Sequence, residues 1–139
     1  MPSTCSTRVH RVPLAELERA WPLVEAMIAD ACARDGLYGA GDVLEWLRGD
    51  KMQLWLAGST ERGVEAAAIS EMLQHRAAKT FSVFIVTGAD IDRWLPHLGR
   101  MEAWAKEMGC SRAIQHARRG YARKLKDYRM THVVLEKQL

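Results

Sequence analysis

Cysteine is scarce and poorly placed for cross-linking: Cys5, Cys32 and Cys110 stand far apart, with no C-x-x-C. An odd, scattered set excludes a disulfide framework and points to a reduced compartment. The five histidines, His10, His75, His97, His116 and His132, never take an H-E-x-x-H or other paired ligand spacing, so no metal centre is expected. No apolar run approaches the roughly 20 residues of a membrane-spanning helix. The start, "MPSTCSTRVHRVPL", has no apolar stretch of the kind a secretion signal needs. These absences lead to the expectation of a cytoplasmic protein, or one loaded into a particle from the cytosol, with no membrane partner. Repeats, low-complexity tracts and long linkers are missing too, so residues 1–139 are expected to form a single domain.

What is present is an ordinary globular composition. Of the 139 residues 48% are hydrophobic and 27% charged, enough for a core without metal or disulfide staples. The net charge of +3 is unevenly spread: seven Lys and Arg stand against one acid between residues 112 and 129, so the remainder is net acidic. Such a cluster marks either an anionic partner or the solvated face of a helix. In "YARKLKDY", Tyr121 and Leu125 lie four apart and form a narrow apolar stripe, which leaves Arg118, Arg119, Arg123, Lys124 and Lys126 for the wet side. The helix-face reading is adopted, and nucleic acid is not the expected partner, because no helix-turn-helix or RNA-binding motif accompanies the charges.

Periodicity gives the elements. "TRVHRVP" reads as a short strand; Leu14, Leu17, Trp21, Val24 and Ile28 then recur at helical steps, with a kink or restart expected at Pro22. Asp42 is expected to cap a second helix through Val43, Leu44, Trp46 and Leu47. "MQLWLAGS", "VEAAAISEML" and "KTFSVFIVTG" follow as three strands, the last rich in β-branched and aromatic residues. One long helix is expected from Asp90 to Met108, stopped by Gly109. Trp94 and Trp104 lie about 80° apart around it, so one of them is expected at its edge, open to a partner protein or a second copy. "CSRAIQHA" reads as a strand, "RRGYARKLKDY" as a short helix and "MTHVVLEK" as a last strand. The fold class is therefore α/β (α+β), a mixed, mostly antiparallel sheet with helices on both faces, in the order β-α-α-β-β-β-α-β-α-β.

That order, with "MEAWAKEMGC" and the closing "GYARKLKDYRMTHVVLEKQL", resembles the GNAT acetyltransferase superfamily, and most of all the small GNAT-like proteins of tailed phages and prophages. The resemblance implies an acetyl-coenzyme A site where the fourth strand parts from the fifth. The backbone of Ile85, Val86 and Thr87 would line it, with Gly88 and Arg93 at the diphosphate end. It also implies a general acid, for which Tyr121 is the candidate although Ala122 occupies the register position. One residue on a helix is about 100° of rotation. Glu71 or His75 on the third strand is the candidate base. Gly88 has no second glycine in register, and Asp90 and Asp92 fall in the first helical turn, where an anion would have to sit. The expectation is accordingly a degenerate acetyl-CoA site on a phage-type accessory or virion component, acting through a protein partner or self-association. The alternatives left open are an active acetyl-CoA-dependent N-acetyltransferase and a nucleic-acid-binding accessory.

Overall fold

The computed structural model describes residues 7–89 and 91–139. The expectations that fall on Cys5 and on Asp90 lie outside the described residues. The first strand, β1 (Arg8–Arg11), leads through a short 3-10 turn (Leu14–Glu16) into α1 (Leu17–Asp35) and α2 (Ala40–Arg48). Three strands follow, β2 (Met52–Ser59), β3 (Gly63–Gln74) and β4 (Lys79–Gly88). Then come α3 (Ile91–Trp94), a 3-10 turn (Leu95–His97), α4 (Leu98–Glu107), β5 (Arg112–Gln115) and α5 (Arg119–Ala122).

The five strands lie side by side in chain order, antiparallel throughout except that β4 and β5 run parallel. Strand alternation divides the side chains between two cores. On one face α1 and α2 cover Leu54, Leu56, Ala67, Ile69 and Ile85. On the other, α3, α4 and α5 cover Trp55, Phe81, Val83 and Ala66. Helices on both faces of a mixed, mostly antiparallel sheet is the architecture the pattern of periods implies.

The apolar stripe of α1 is the buried one: Leu17, Trp21, Val24 and Ile28 all face the sheet, while Leu14 lies outside it in the 3-10 turn, half exposed. Pro22 sits inside α1 without dividing it; the restart falls earlier, at the 3-10 turn. Gly36 ends α1 in a left-handed conformation (φ 69°), its N–H donating to Cys32 O at 2.9 Å.

Three expectations need correction. Asp42 is not the cap residue of α2 but lies inside its first turn, where Oδ2 accepts the Gly39 N–H at 2.9 Å. The single long helix after β4 is broken into α3, a 3-10 turn and α4, because Pro96 falls in its middle and has no N–H to give. The last strand does not form: residues 129–139 are exposed and belong to no helix or strand. Strand-forming composition cannot make a strand until a neighbour takes its amide groups.

Of the two tryptophans Trp104 is the half-buried one at the edge of the core. It packs edge-on against Trp55 and Phe81, with the Arg11 guanidinium 5.1 Å above its ring. Trp94 is buried.

Candidate active site

The sheet forks between β4 and β5. The two strands pair from Thr80 opposite Arg112 to Val83 opposite Gln115, and the last bond across is from His116 N–H to Val83 O at 3.0 Å. There β5 ends, while β4 continues to Gly88 held only by β3. Residues 84–88 therefore present one row of backbone groups to an open slot, and such groups require partners. The fork coincides with a bulge. Ile69 faces Ile85 while Ser70 faces Val83, so Phe84 is the extra residue. As a result Phe84 and Ile85 both turn toward the α1/α2 face, and Val83 and Val86 toward the other. Ile85 is a core side chain, Val86 is half-buried, and Thr87 donates its hydroxyl to Met27 O at 3.1 Å. What these residues offer the slot is backbone.

On the α1/α2 side the slot meets an aromatic cluster. Tyr38 stands edge-on to Trp46 at 5.3 Å and to Phe84 at 6.4 Å between ring centroids. Glu71, half-buried on β3, is the cross-strand neighbour of Ser82. Burial first, then the charges around Tyr38, Glu71's among them, push its phenol above the ordinary range. Thr80 and Ser82 alternate with Phe81, so their hydroxyls turn to this same face; both are buried with no hydrogen-bond partner. His75 lies away from the slot, exposed in the β3–β4 turn with its N–H donating to Ala78 O.

On the opposite side, at the base of the fork, Tyr121 donates its hydroxyl to Gln115 Oε1 at 3.0 Å. Tyr128 donates to Glu102 Oε2 at 2.5 Å. Burial holds both phenols well above their ordinary range; Glu102 adds to each, by its charge at Tyr121 and chiefly by its hydrogen bond at Tyr128. Gln115 Nε2 is buried and unpartnered. Tyr121 thus shares a network with the last residue of β5, and its ring lies 6.2 Å from that of Trp94. Leu125 is buried as the apolar stripe requires, and Arg118, Arg119, Arg123, Lys124 and Lys126 are all exposed.

The far end of the slot is built differently from what its sequence implies. Gly88 (φ 118°) is pressed against β3: a Cβ there would lie 2.4 Å from Glu65 O and 2.5 Å from Ala66 Cα. The Ala89 N–H is taken by Glu65 O at 3.1 Å. Arg93 turns to the Glu65 carboxylate at 3.1 Å, an acid whose side chain is only 8% exposed and which also accepts from Thr7 at 2.9 Å. Asp92, in the first turn of α3, pairs with Lys124 of the segment after α5 at 2.6 Å. Of the residues named from the sequence, Ile85, Val86, Thr87 and Gly88 thus lie along the slot, Tyr121 and Glu71 flank its base on opposite faces, and Arg93 is engaged elsewhere. Sequence reasoning missed Gln115, Tyr38, Glu65 and the Asp92–Lys124 pair. None carried a local signal, since each acquires its place through a partner distant in the chain. Among the described residues no group of three or more His, Cys, Asp or Glu is arranged to hold a metal ion, and no helix is long and apolar enough to cross a membrane.

No protein-family model matches the chain, and no curated protein sequence does. Solved structures do. An aminoglycoside acetyltransferase from an uncultured soil metagenomic sample, in complex with sisomicin, superposes with a TM-score of 0.69 at 11% identity, over 96% of this chain and 97% of that one. A predicted acetyltransferase from Clostridium acetobutylicum, with acetyl-CoA, gives 0.67 at 11% identity over 95% and 96%. A GNAT family acetyltransferase from Staphylococcus aureus gives 0.63 at 14% identity over 96% and 99%. With its forked β4–β5 pair and a likeness to these structures along nearly its whole length, the chain has the fold of the GNAT acetyltransferases.

Proposed function

We propose that the chain is an acetyl-coenzyme A-dependent acetyltransferase that holds the acyl donor in the β4–β5 fork and receives an amine from the α1/α2 side. The observation that carries this reading is the free backbone row of residues 84–88, which begins where β5 ends. A donor of this kind has an extended arm with amide groups of its own, and the backbone of Ile85, Val86 and Thr87 is the matching surface. The cofactor-bound likeness with the same fold supports the choice of donor.

The residues fit that arm better than they fit its diphosphate. Gly88 owes its form to β3, Ala89 N–H is spent, and Arg93 is neutralised by Glu65. Lys124 is the cation already standing at the first turn of α3, and an incoming anion has to draw it from Asp92. An exposed pair of this kind is worth no more than about 1 kcal/mol, so the exchange is feasible but adds little affinity.

When bound, acetyl-CoA supplies a thioester whose acyl carbon is open to an amine. Glu71, beside Tyr38 and Ser82, attracts the ammonium form of the acceptor and accepts its proton. Tyr121, held at the fork by Gln115 and kept protonated by burial, supplies the proton that the departing sulfur needs. Glu71 lies on the α1/α2 face of the sheet and Tyr121 on the face covered by α3, α4 and α5.

Calorimetry with acetyl-CoA tests the reading directly. Saturable binding is expected, with acetyl-pantetheine retaining affinity within about tenfold, a difference of about 1.4 kcal/mol. Absence of saturation at about 1 mM donor, a binding free energy weaker than about −4 kcal/mol, sinks the proposal. It would leave the accessory role, for which neither the fold nor the structural likenesses supply phage-specific support. Given activity, Glu71→Gln should lower kcat/KM for the amine by on the order of tenfold or more, with binding of acetyl-CoA unchanged. Equal turnover by wild type and variant would remove Glu71 from the mechanism.

A further inference from the structure

The acid on the α1/α2 side of the fork has no partner of its own. Glu71 is half-buried on β3, and among the described residues its carboxylate accepts no hydrogen bond and forms no ion pair. A carboxylate partly withdrawn from water and left unpaired is costly, so a cation belongs beside it. Its cross-strand neighbour Ser82 keeps a buried hydroxyl without a partner. Tyr38 is close enough for the charge of Glu71 to bear on its phenol, and it too makes no hydrogen bond among the described residues. The polar groups on this stretch of the face are thus unsatisfied. All of them can accept from an ammonium group, which only donates.

The surface beside them is aromatic. Tyr38 stands at 68° to the ring of Trp46 and at 73° to that of Phe84, so two rings flank a third at steep angles. All three pack against the α1/α2 core and are only half-buried. Phe84 is the bulge residue at the fork, and its ring adjoins the first free backbone of β4. Leu37, next to Tyr38 in the loop between α1 and α2, is 80% exposed. A polyol body needs donors and acceptors along its length, which rings and a leucine do not supply. A flat apolar body needs only their surface, and an ammonium beside ring faces is attracted by their quadrupoles as well.

We infer that the acceptor is a primary arylalkylamine, its ammonium at Glu71 and its ring against Tyr38, Phe84 and the exposed Leu37. The inference rests on the acceptor side assigned above and narrows the amine to one class. Charge and ring in a single molecule answer two features that the fold leaves open side by side, an unpaired acid and an uncovered aromatic surface.

Amine binding can be read through the Trp46 indole N–H resonance, with the protein alone and again with coenzyme A present. Phenethylamine, butylamine and glucosamine carry one amine each and differ in the body behind it. Phenethylamine should bind about tenfold or more tighter than either of the others, the scale of burying much of a phenyl ring. Tyr38→Ala should bring it to the level of butylamine, and Leu37→Ser, at a side chain already in water, should narrow the gap without disturbing the fold. Glu71→Gln should weaken all three amines by a similar factor and keep their ranking. Phenethylamine that leaves the resonance unmoved, or binds no better than butylamine or glucosamine, overturns the inference. So does a Tyr38→Ala protein of native circular dichroism that still prefers the ring. A ring preference in a protein that fails to bind coenzyme A would keep the aromatic site and remove the donor, so the two failures are distinguishable.

Discussion

Gly88→Ala should lower the melting midpoint by roughly 10 °C, corresponding to about 3 kcal/mol, before any ligand is considered. Two costs add at this position. The backbone is at φ 118°, where an L side chain is strained by about 1–3 kcal/mol. The new methyl would also stand 2.4 Å from Glu65 O and 2.5 Å from Ala66 Cα, contacts with backbone that cannot rotate away. Forcing the two strands apart costs a further 1–3 kcal/mol or so. The expected signature is therefore a stability loss that appears in the absence of donor. A variant that melts within about 2 °C of wild type, well under 1 kcal/mol, but no longer binds acetyl-CoA would show instead that the glycine is there to let an anion approach.

The history of Gly88 shows what a sequence can and cannot convey here. The glycine is legible as special from its place at the end of "KTFSVFIVTG". Its reason is not, because Glu65 and Ala66 are more than twenty positions away and reach it only through the β3–β4 register. Strands β2 and β4 match their sequence bounds, since β-branched and aromatic residues fill them to the turn at each end. The stripe of α1 is likewise written in its spacing. The break in the helix after β4 is written locally in Pro96, which outweighs the apolar period around it. The tail is a different case: "MTHVVLEK" has the composition of a strand, but none of the five strands pairs with it, and pairing is not written in a segment's own periodicity.

The site divides in the same way. Glu71 and Tyr121 could be named because residue type narrows the choice of acid and base. Gln115 could not, since its importance comes from lying opposite Val83 at the last rung before the strands part. Arg93 was legible as a cation near the slot, but its charge is committed to Glu65, an acid on the neighbouring strand with its side chain nearly closed to water.

Tyr121→Phe should lower kcat for acetyl transfer by about 10²-fold or more, the range found when a positioned proton donor is removed. The case rests on placement. Sequence register puts Ala122 where such a residue is expected, and on register alone a rotation of about 100° sends Tyr121 elsewhere. The structure resolves this differently: Tyr121 turns inward to Gln115, and Gln115 ends β5 at the fork itself. Burial, with Glu102 adding to it, keeps the phenol protonated through the ordinary assay range, the state a donor must be in. A purely structural Tyr121 makes a different forecast. Phenylalanine keeps the ring against Trp94 and gives up one hydrogen bond, a loss of about 1 kcal/mol in stability with little change in kcat. An acyl donor with a more acidic thiol separates the two accounts, because a better leaving group needs no proton. With a thiophenol ester the variant should recover most of the lost rate if Tyr121 protonates the sulfur, and none of it if the substitution merely loosens the fork. A fall in kcat of less than about threefold with the natural thioester, under 1 kcal/mol of barrier, would assign the phenol to packing alone.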